Sequence, residues 1–247
     1  MLSTPQIPPD IVLSGRLQAL RARIEAAALS SGRSTRDIRL LAVSKGQPLA
    51  QLRAALGLGL TDFGENYVNE ALPKIKALAG SGAQWHFIGR VQTNKTRHIA
   101  TSFDWVHSID RLAVAQRLAE QRPVLMPPLN VCVQVGVIHE PGKAGCSPLT
   151  APGLMEAIAA LPTLRLRGLM CMLPFGASEA AQQEGFGRLR KLYEAARDRG
   201  LALDTLSMGM SDDLEGAVAE GSNLLRIGSA LFGPRPSAAQ PAATPVQ

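Results

Sequence analysis

Hydrophobic positions in this chain fall into two kinds of stretch that follow one another in turn. The first kind is short and nearly all apolar. Its clearest case is Ile38-Arg39-Leu40-Leu41-Ala42-Val43, ended by Ser44-Lys45-Gly46 and then Pro48. A run without polar alternation reads as a strand buried on both faces, as in parallel sheets. Similar runs recur at 60–63, 85–88, 105–107, 129–137, 164–172, 203–208 and 224–227. Gly64-Glu65-Asn66 ends the second run and Gly89-Arg90 the third. Between the runs lie stretches of helical period, at 48–56, 67–79 (interrupted by Pro73), 93–100, 111–121, 152–161, 179–199 and 212–220. Proline opens the first of these, and Gly200 stops the long one. A further amphipathic helix over 9–31 precedes everything, with Ile11, Leu17, Leu20 and Ile24 on one stripe.

Eight strand–helix alternations with one helix in front predict an α/β fold, a single (β/α)8 TIM-type barrel with an extra N-terminal helix. Eight parallel strands close around an interior that their own side chains fill. An open doubly wound sheet is the alternative, and it would carry phosphate-binding glycines after its first strand. Here that strand ends in Lys45. Connections are short and no composition shift marks a boundary, so one domain is expected over 9–233. A Pro/Ala/Ser/Gln-rich tail at 234–247 is expected to be disordered.

Composition narrows the picture. Of 247 residues, 46% are apolar and 19% charged, the balance of a globular protein with a sizeable core. No apolar run is long enough for a membrane span. The first residues carry prolines and no basic residue, unlike a signal peptide. Cys132, Cys146 and Cys171 are too few and scattered for a disulfide framework or zinc site, and fit a reducing cytoplasm. The net charge of +6 admits nucleic acid or a small anionic ligand. Basic residues are dispersed, and two tryptophans, two tyrosines and six phenylalanines are few for base stacking, so no nucleic-acid partner is expected. The cluster Arg90, Lys95, Arg97 and His98 reads as a solvated helix face.

In such a barrel the chemistry gathers at the carboxyl ends of the strands. Strand one supplies Lys45. On the strand alone it is either a lysine snorkelling to water or an amine made nucleophilic by desolvation, fit for a Schiff base. Strand two supplies Glu65 and Asn66, and strand three His86. Strand seven supplies Ser207-Met208-Gly209-Met210-Ser211, and strand eight Arg226 and then Gly228-Ser229. Small residues after the last two strands, each before a helix start, form a phosphate site in many barrels. Ser207 and Ser211 could instead cap the helix at Asp212. Arg226 could face a ligand or pair with a core acid such as Asp62. His86 could be a hydrogen-bonded core histidine or a pocket residue. A reactive lysine opposite a phosphate cradle suggests a phosphorylated aldehyde, either pyridoxal 5′-phosphate or a sugar phosphate. Gly142-Lys143-Ala144-Gly145 lacks the full phosphate-loop spacing.

Seven segments taken together resemble the pyridoxal phosphate homeostasis protein family. They are Ala42-Val43-Ser44-Lys45, Phe63-Gly64-Glu65-Asn66-Tyr67-Val68, Trp85-His86-Phe87-Ile88-Gly89, Gln92-Thr93-Asn94-Lys95, Gly168-Leu169-Met170, Leu206 through Asp212, and Arg226-Ile227-Gly228 with Leu231-Phe232-Gly233. The resemblance spans about residues 15–235, in order. Such proteins are single-domain barrels similar to the N-terminal domain of alanine racemase, of fold type III among pyridoxal-phosphate proteins. The resemblance implies that Lys45 holds pyridoxal 5′-phosphate as an internal aldimine. It further implies Ser207, Met208, Gly209, Gly228 and Ser229 around the phosphate, Arg226 facing the pyridine nitrogen, and Asn66 and His86 lining the pocket. The implied role is to hold and deliver the cofactor and keep its free level low, without established catalysis. The implied partners are pyridoxal phosphate and the apoenzymes that use it, with no membrane, in a cytoplasmic monomer or weak dimer. The chain departs from the family at Gly46-Gln47, where Thr-Lys is frequent, at Gly136, where asparagine is usual, and at Gly221-Ser222-Asn223.

The competing function is a pyridoxal-phosphate-dependent amino-acid racemase. Racemisation needs a base on each face of the cofactor plane. In the alanine racemase family these are the lysine and a tyrosine from a second, C-terminal domain. This chain ends at the barrel, and of its tyrosines, Tyr67 and Tyr193, the latter is expected mid-helix on the outside. A sugar-phosphate aldolase lacks an evident acid/base pair beside Lys45.

Overall fold

Eight short parallel strands close in chain order into a barrel in the computed structural model, which describes residues 9–138 and 144–234. They are β1 (Arg39–Val43), β2 (Asp62–Glu65), β3 (Gln84–Phe87), β4 (Trp105–Ile109), β5 (Leu129–Gln134), β6 (Leu164–Met170), β7 (Thr205–Ser207) and β8 (Leu224–Ile227). Closure is made by β8 against β1, with Arg39 opposite Leu224 and Ala42 opposite Ile227. The crossovers are α2 (Leu49–Gly57), α3 (Val68–Ala77), α4 (Thr96–Ser102), α5 (Leu112–Gln121), α6 (Ala151–Ala159), α7 (Glu179–Asp198) and α8 (Leu214–Ala219). The extra helix α1 (Pro9–Ser30) comes first, and the short α9 (Ser229–Phe232) follows β8.

Alternation along each strand separates an outer core from the barrel interior. In β1, Ala42 packs outward with the helix-covered core, whereas Leu41 and Val43 pack with Ile88 and Leu224. Trp105, Cys132 and Met170 form a second small cluster apart from the main core. The remaining buried positions include Glu65, His86, His107, Ser207 and Arg226. Buried polar groups are as a rule hydrogen-bonded, so the interior of this barrel is organised as much by polar contacts as by apolar packing.

Several local expectations shift for physical reasons. β2 extends through Gly64 and Glu65, where the sequence suggests a stop. A Cβ at Gly64 would stand 3.1 Å from Ile88 Cδ1 and 3.4 Å from Leu41 Cδ2, so a glycine suits the close approach of these side chains. Helix α3 runs through Pro73 without a break. The basic segment begins as a 3-10 turn at Thr93–Lys95 before α4. The buried stripe of α1 is Leu13, Leu17, Leu20 and Ile24, and Ile11 points to solvent. Arg23 from that stripe's far side reaches the Ser211 carbonyl at 3.0 Å, and Arg16 the Phe232 carbonyl at 2.8 Å, so α1 braces the loops after β7 and β8. Tyr193 is buried, its hydroxyl donating to the Leu203 carbonyl, rather than outside. The tail at 235–247 and the Gly142-Lys143 pair lie outside the described residues.

All three cysteines are free and buried. Burial pushes the Cys132 and Cys171 thiols up to about 12 and that of Cys146 to about 11. Among the described residues no helix is long and apolar enough to cross a membrane, and no cluster of His, Cys, Asp and Glu is arranged to hold a metal.

Candidate functional site

A cavity of about 390 Å³ opens at the carboxyl ends of β1, β2, β7 and β8. Lys45, Asn66, Arg226, Gly228 and Ser229 lie on its wall, with Val43 and Ile88 beside them. Met172 and Phe175 border it from the loop after β6; Phe175 is 94% exposed. Ser207, Met208, Gly209 and His86 are not on the wall. Met208 is fully buried in the outer core, and Ser207 and His86 lie beneath the cavity in the barrel interior. The volume falls within the range typical of small-molecule and cofactor sites.

Lys45 is half-buried, and the backbone on either side of it is fixed by a group the sequence reading passed over. Lys74, on α3, is nearly excluded from water and directs its Nζ to three acceptors: the Ser44 carbonyl and Glu65 Oε1 at 2.8 Å and Glu70 Oε1 at 2.6 Å. Three acceptors match the three protons of an ammonium. The same Glu70 oxygen accepts the Gly46 amide at 2.5 Å, and Glu65 Oε1 accepts the Ser44 hydroxyl at 2.6 Å. One buried cation therefore ties down both neighbours of Lys45. Burial pushes the Glu65 carboxyl up, against the hydrogen bonds from Lys74 and Ser44, and its Oε2 has no partner. The sequence signal for this cluster was the Glu70–Lys74 spacing of four on one helix, which reads more readily as a surface pair.

On β8, the strand paired with that of Lys45, Arg226 points into the interior and, among the described residues, forms no ion pair with a carboxylate. Its Nη1 donates to the Ser207 carbonyl at 2.5 Å and to Ser207 Oγ at 2.9 Å, and its Nη2 donates to the Cys171 carbonyl at 2.7 Å. Burial lowers the guanidinium from its ordinary value, but an arginine starts so high that it remains charged. Asp62 is at the other end of the barrel, held by Arg39 and by His86 Nε2 at 2.9 Å, so the pairing of Arg226 with that acid does not occur.

The cavity side formed by the loops after β7 and β8 is backbone-rich. Gly209 has φ +94°, and a Cβ there would lie 2.6 Å from Ala217 Cβ and 2.7 Å from Leu225 Cδ2, so only glycine fits this turn. Gly209 in turn accepts the Arg226 amide at 2.9 Å, linking the two loops. Ser211 does not cap α8. Its Oγ accepts the Ala230 amide at 3.2 Å and lies 3.1 Å from Ser229 Oγ. Asp213 instead takes the Met210 amide at 2.5 Å. On the opposite wall, Gly89 passes so close to Asn66 that a Cβ would stand 2.1 Å from the Asn66 carbonyl. The buried Asn66 Oδ1 has no hydrogen-bond partner. That acceptor suits a donor group on a ligand, while Lys45 and Arg226 on the same lining suit negative charge.

The family model for the N-terminal domain of alanine racemase matches residues 16–236. The pyridoxal phosphate homeostasis protein of Pseudomonas aeruginosa is 54% identical over 223 residues, covering 90% of this chain and 96% of the relative. That of Escherichia coli is 45% identical over 227 residues, covering 90% and 97%. Among solved structures, PipY of Synechococcus elongatus, with pyridoxal phosphate bound, superposes with a TM-score of 0.79 at 34% identity, covering 90% of this chain and all of PipY. The alanine racemase of Corynebacterium glutamicum superposes at 0.66 with 17% identity, and this chain covers 64% of it; that likeness is one of fold.

Proposed function

For a chain that belongs to the pyridoxal phosphate homeostasis protein family, we propose that the cavity holds pyridoxal 5′-phosphate and that the protein keeps and delivers the cofactor to apoenzymes rather than turning it over. Lys45 holds the cofactor aldehyde as a Schiff base. Gly228, Ser229 and the backbone at Ser211 receive the phosphate, and Asn66 meets a polar ring substituent. When bound, pyridoxal phosphate supplies an electron sink for carbanions next to an amine nitrogen. The observation that carries the reading is that Lys45 and Arg226 line one cavity and that, among the described residues, no carboxylate hydrogen-bonds to Arg226, Asp213 acting on it only at longer range. A guanidinium against the pyridine nitrogen disfavours its protonation. The ring is then a weak sink, which suits holding the cofactor more than using it.

The test is spectroscopic. On addition of pyridoxal phosphate, the protein should develop a Schiff-base absorption band, and borohydride should fix a phosphopyridoxyl group on the peptide that contains Lys45. A label on another lysine, or no band, refutes the reading.

The racemase reading requires a second base facing Lys45. Among the described residues, no Tyr, His or Cys lines the cavity, and its one carboxylate, Asp212, belongs to the loop after β7 that is proposed to receive the phosphate. Tyr67 is 65% exposed and Tyr193 is engaged with Leu203. The loaded protein is therefore expected to racemise alanine or serine far more slowly than about 1 per second, an ordinary enzyme rate. Turnover at that rate, followed by chiral chromatography, would restore the racemase.

A further inference from the structure

Beneath the cavity, a line of hydrogen bonds crosses the barrel from its amino-terminal end to Arg226. Asp62 Oδ1 lies 2.9 Å from His86 Nε2, and His86 Nδ1 lies 2.9 Å from His107 Nε2. His107 Nδ1 lies 2.8 Å from Ser207 Oγ, which accepts Arg226 Nη1 at 2.9 Å. Both imidazoles are fully buried. His86 stacks on Trp105 at 5.3 Å with an interplanar angle of 10°. The Trp105 ring also meets Arg39 at 5.3 Å and Arg167 at 4.7 Å, contacts that hold it against the His86 ring. We propose that His107 and His86 are positioning residues that aim Arg226 at the bound cofactor by fixing the direction of every hydrogen bond in this line. The inference rests on the proposed function only in taking the ring nitrogen to be the group Arg226 meets.

The direction follows from the donor inventory. The Asp62 carboxylate only accepts, so His86 Nε2 carries a proton and donates. In a neutral His86, Nδ1 then accepts, so His107 Nε2 is the donor between the rings. His107 Nδ1 is left as an acceptor and takes the Ser207 hydroxyl proton. That hydroxyl has a single proton, so its lone pairs are turned to Arg226 and cannot be turned away. Each group has one role, and all roles run from Arg226 to Asp62.

Both rings must be neutral for this order, and the surroundings keep them so. His86 faces Asp62, Arg39, Asp104 and His107. Burial lowers its pKa, opposed by the Asp62 hydrogen bond and charge. His107 faces His86, Arg226 and Arg39. Burial first, and then those neighbours, hold it well below the usual histidine value. Protonating His86 would make both of its nitrogens donors. His107 would then present Nε2 as acceptor and Nδ1 as donor, and Ser207 would be released to reorient.

The experiment has two arms. Nitrogen-15 NMR of the cofactor-free protein reads the tautomers directly. Both histidines are expected to carry the proton on Nε2, and a proton on His107 Nδ1 near neutral pH overturns the proposal whether or not the protein binds cofactor. The second arm uses loaded variants. His107→Phe is expected to keep borohydride labelling at Lys45, shift the absorption band and weaken cofactor binding about tenfold, equal to about 1.4 kcal/mol. His107→Asn retains an acceptor for Ser207 and should restore the parent spectrum. Ser207→Ala, which removes only the hydroxyl, should reproduce the shift if the Phe variant fails to fold. Identical spectra for the parent, Ser207→Ala and whichever His107 variants fold overturn the proposal. Failure of the parent itself to bind pyridoxal phosphate overturns the site assignment, leaving the tautomer measurement to decide the relay.

Discussion

Replacing Lys74 with methionine is expected to destabilise the protein by about 3–5 kcal/mol, the usual cost of removing one partner of a buried ion pair. Methionine is close in length and apolar, so the loss is not one of packing. It comes from Glu65, which is left fully buried without its counter-ion, and from the Ser44 carbonyl and Glu70, which lose their shared donor. For a chain of this size the midpoint of thermal unfolding should fall by about 6–20 °C. The double variant Lys74→Met, Glu65→Met should recover much of that, since a buried pair replaced by packed apolar groups is often neutral. A single variant that melts within about 2 °C of the parent would show that the cluster is not buried as described. The functional readout is separate. With Ser44 and Gly46 untied, the Lys45 amine loses its fixed starting position, and cofactor labelling should slow even at temperatures where the variant is folded.

Lys45→Ala should abolish the Schiff-base band and the borohydride label altogether. Retention then depends on the loops after β7 and β8 and on Arg226. A loss of at least about a hundredfold in affinity is expected, about 2.8 kcal/mol, read by equilibrium dialysis with circular dichroism as the check on folding. Unchanged affinity would mean that the phosphate and ring contacts, and not the lysine, hold the cofactor. A label that migrates to Lys74 or another amine would mean that the cavity is entered from a different side.

The barrel was legible because its strands are buried on both faces. Runs such as 38–43 and 129–137 carry a signal that tertiary context reinforces. The candidate wall was legible where chemistry sits at a strand end, as with Lys45, Asn66, Arg226 and Gly228. Other features depended on pairing across the barrel, which no local pattern encodes. His107 lies in β4, remote in sequence from Ser207 in β7, and only closure of the sheet brings their side chains to 2.8 Å. Tyr193 looked external because a mid-helix tyrosine usually is, yet its hydroxyl finds the Leu203 carbonyl in the loop just before β7. Met208 sat inside a phosphate-loop motif, but strand alternation turns its side chain outward into the helix-covered core while its neighbours serve the interior. Pro73 failed to break α3.

The state of the cysteines has a practical consequence. A maleimide or iodoacetamide reacts with thiolate, and thiols held near 11–12 supply almost none at neutral pH. The native protein is thus expected to label little with thiol reagents without any prior cysteine removal, which in a packed barrel would open holes. A single cysteine introduced at Phe175, on the rim of the cavity, would be the one reactive handle. A fluorophore attached there, chosen to emit where the bound cofactor absorbs, would report arrival and departure of the cofactor as a change in quenching, giving release rates in the presence of an acceptor apoenzyme without separating the two proteins.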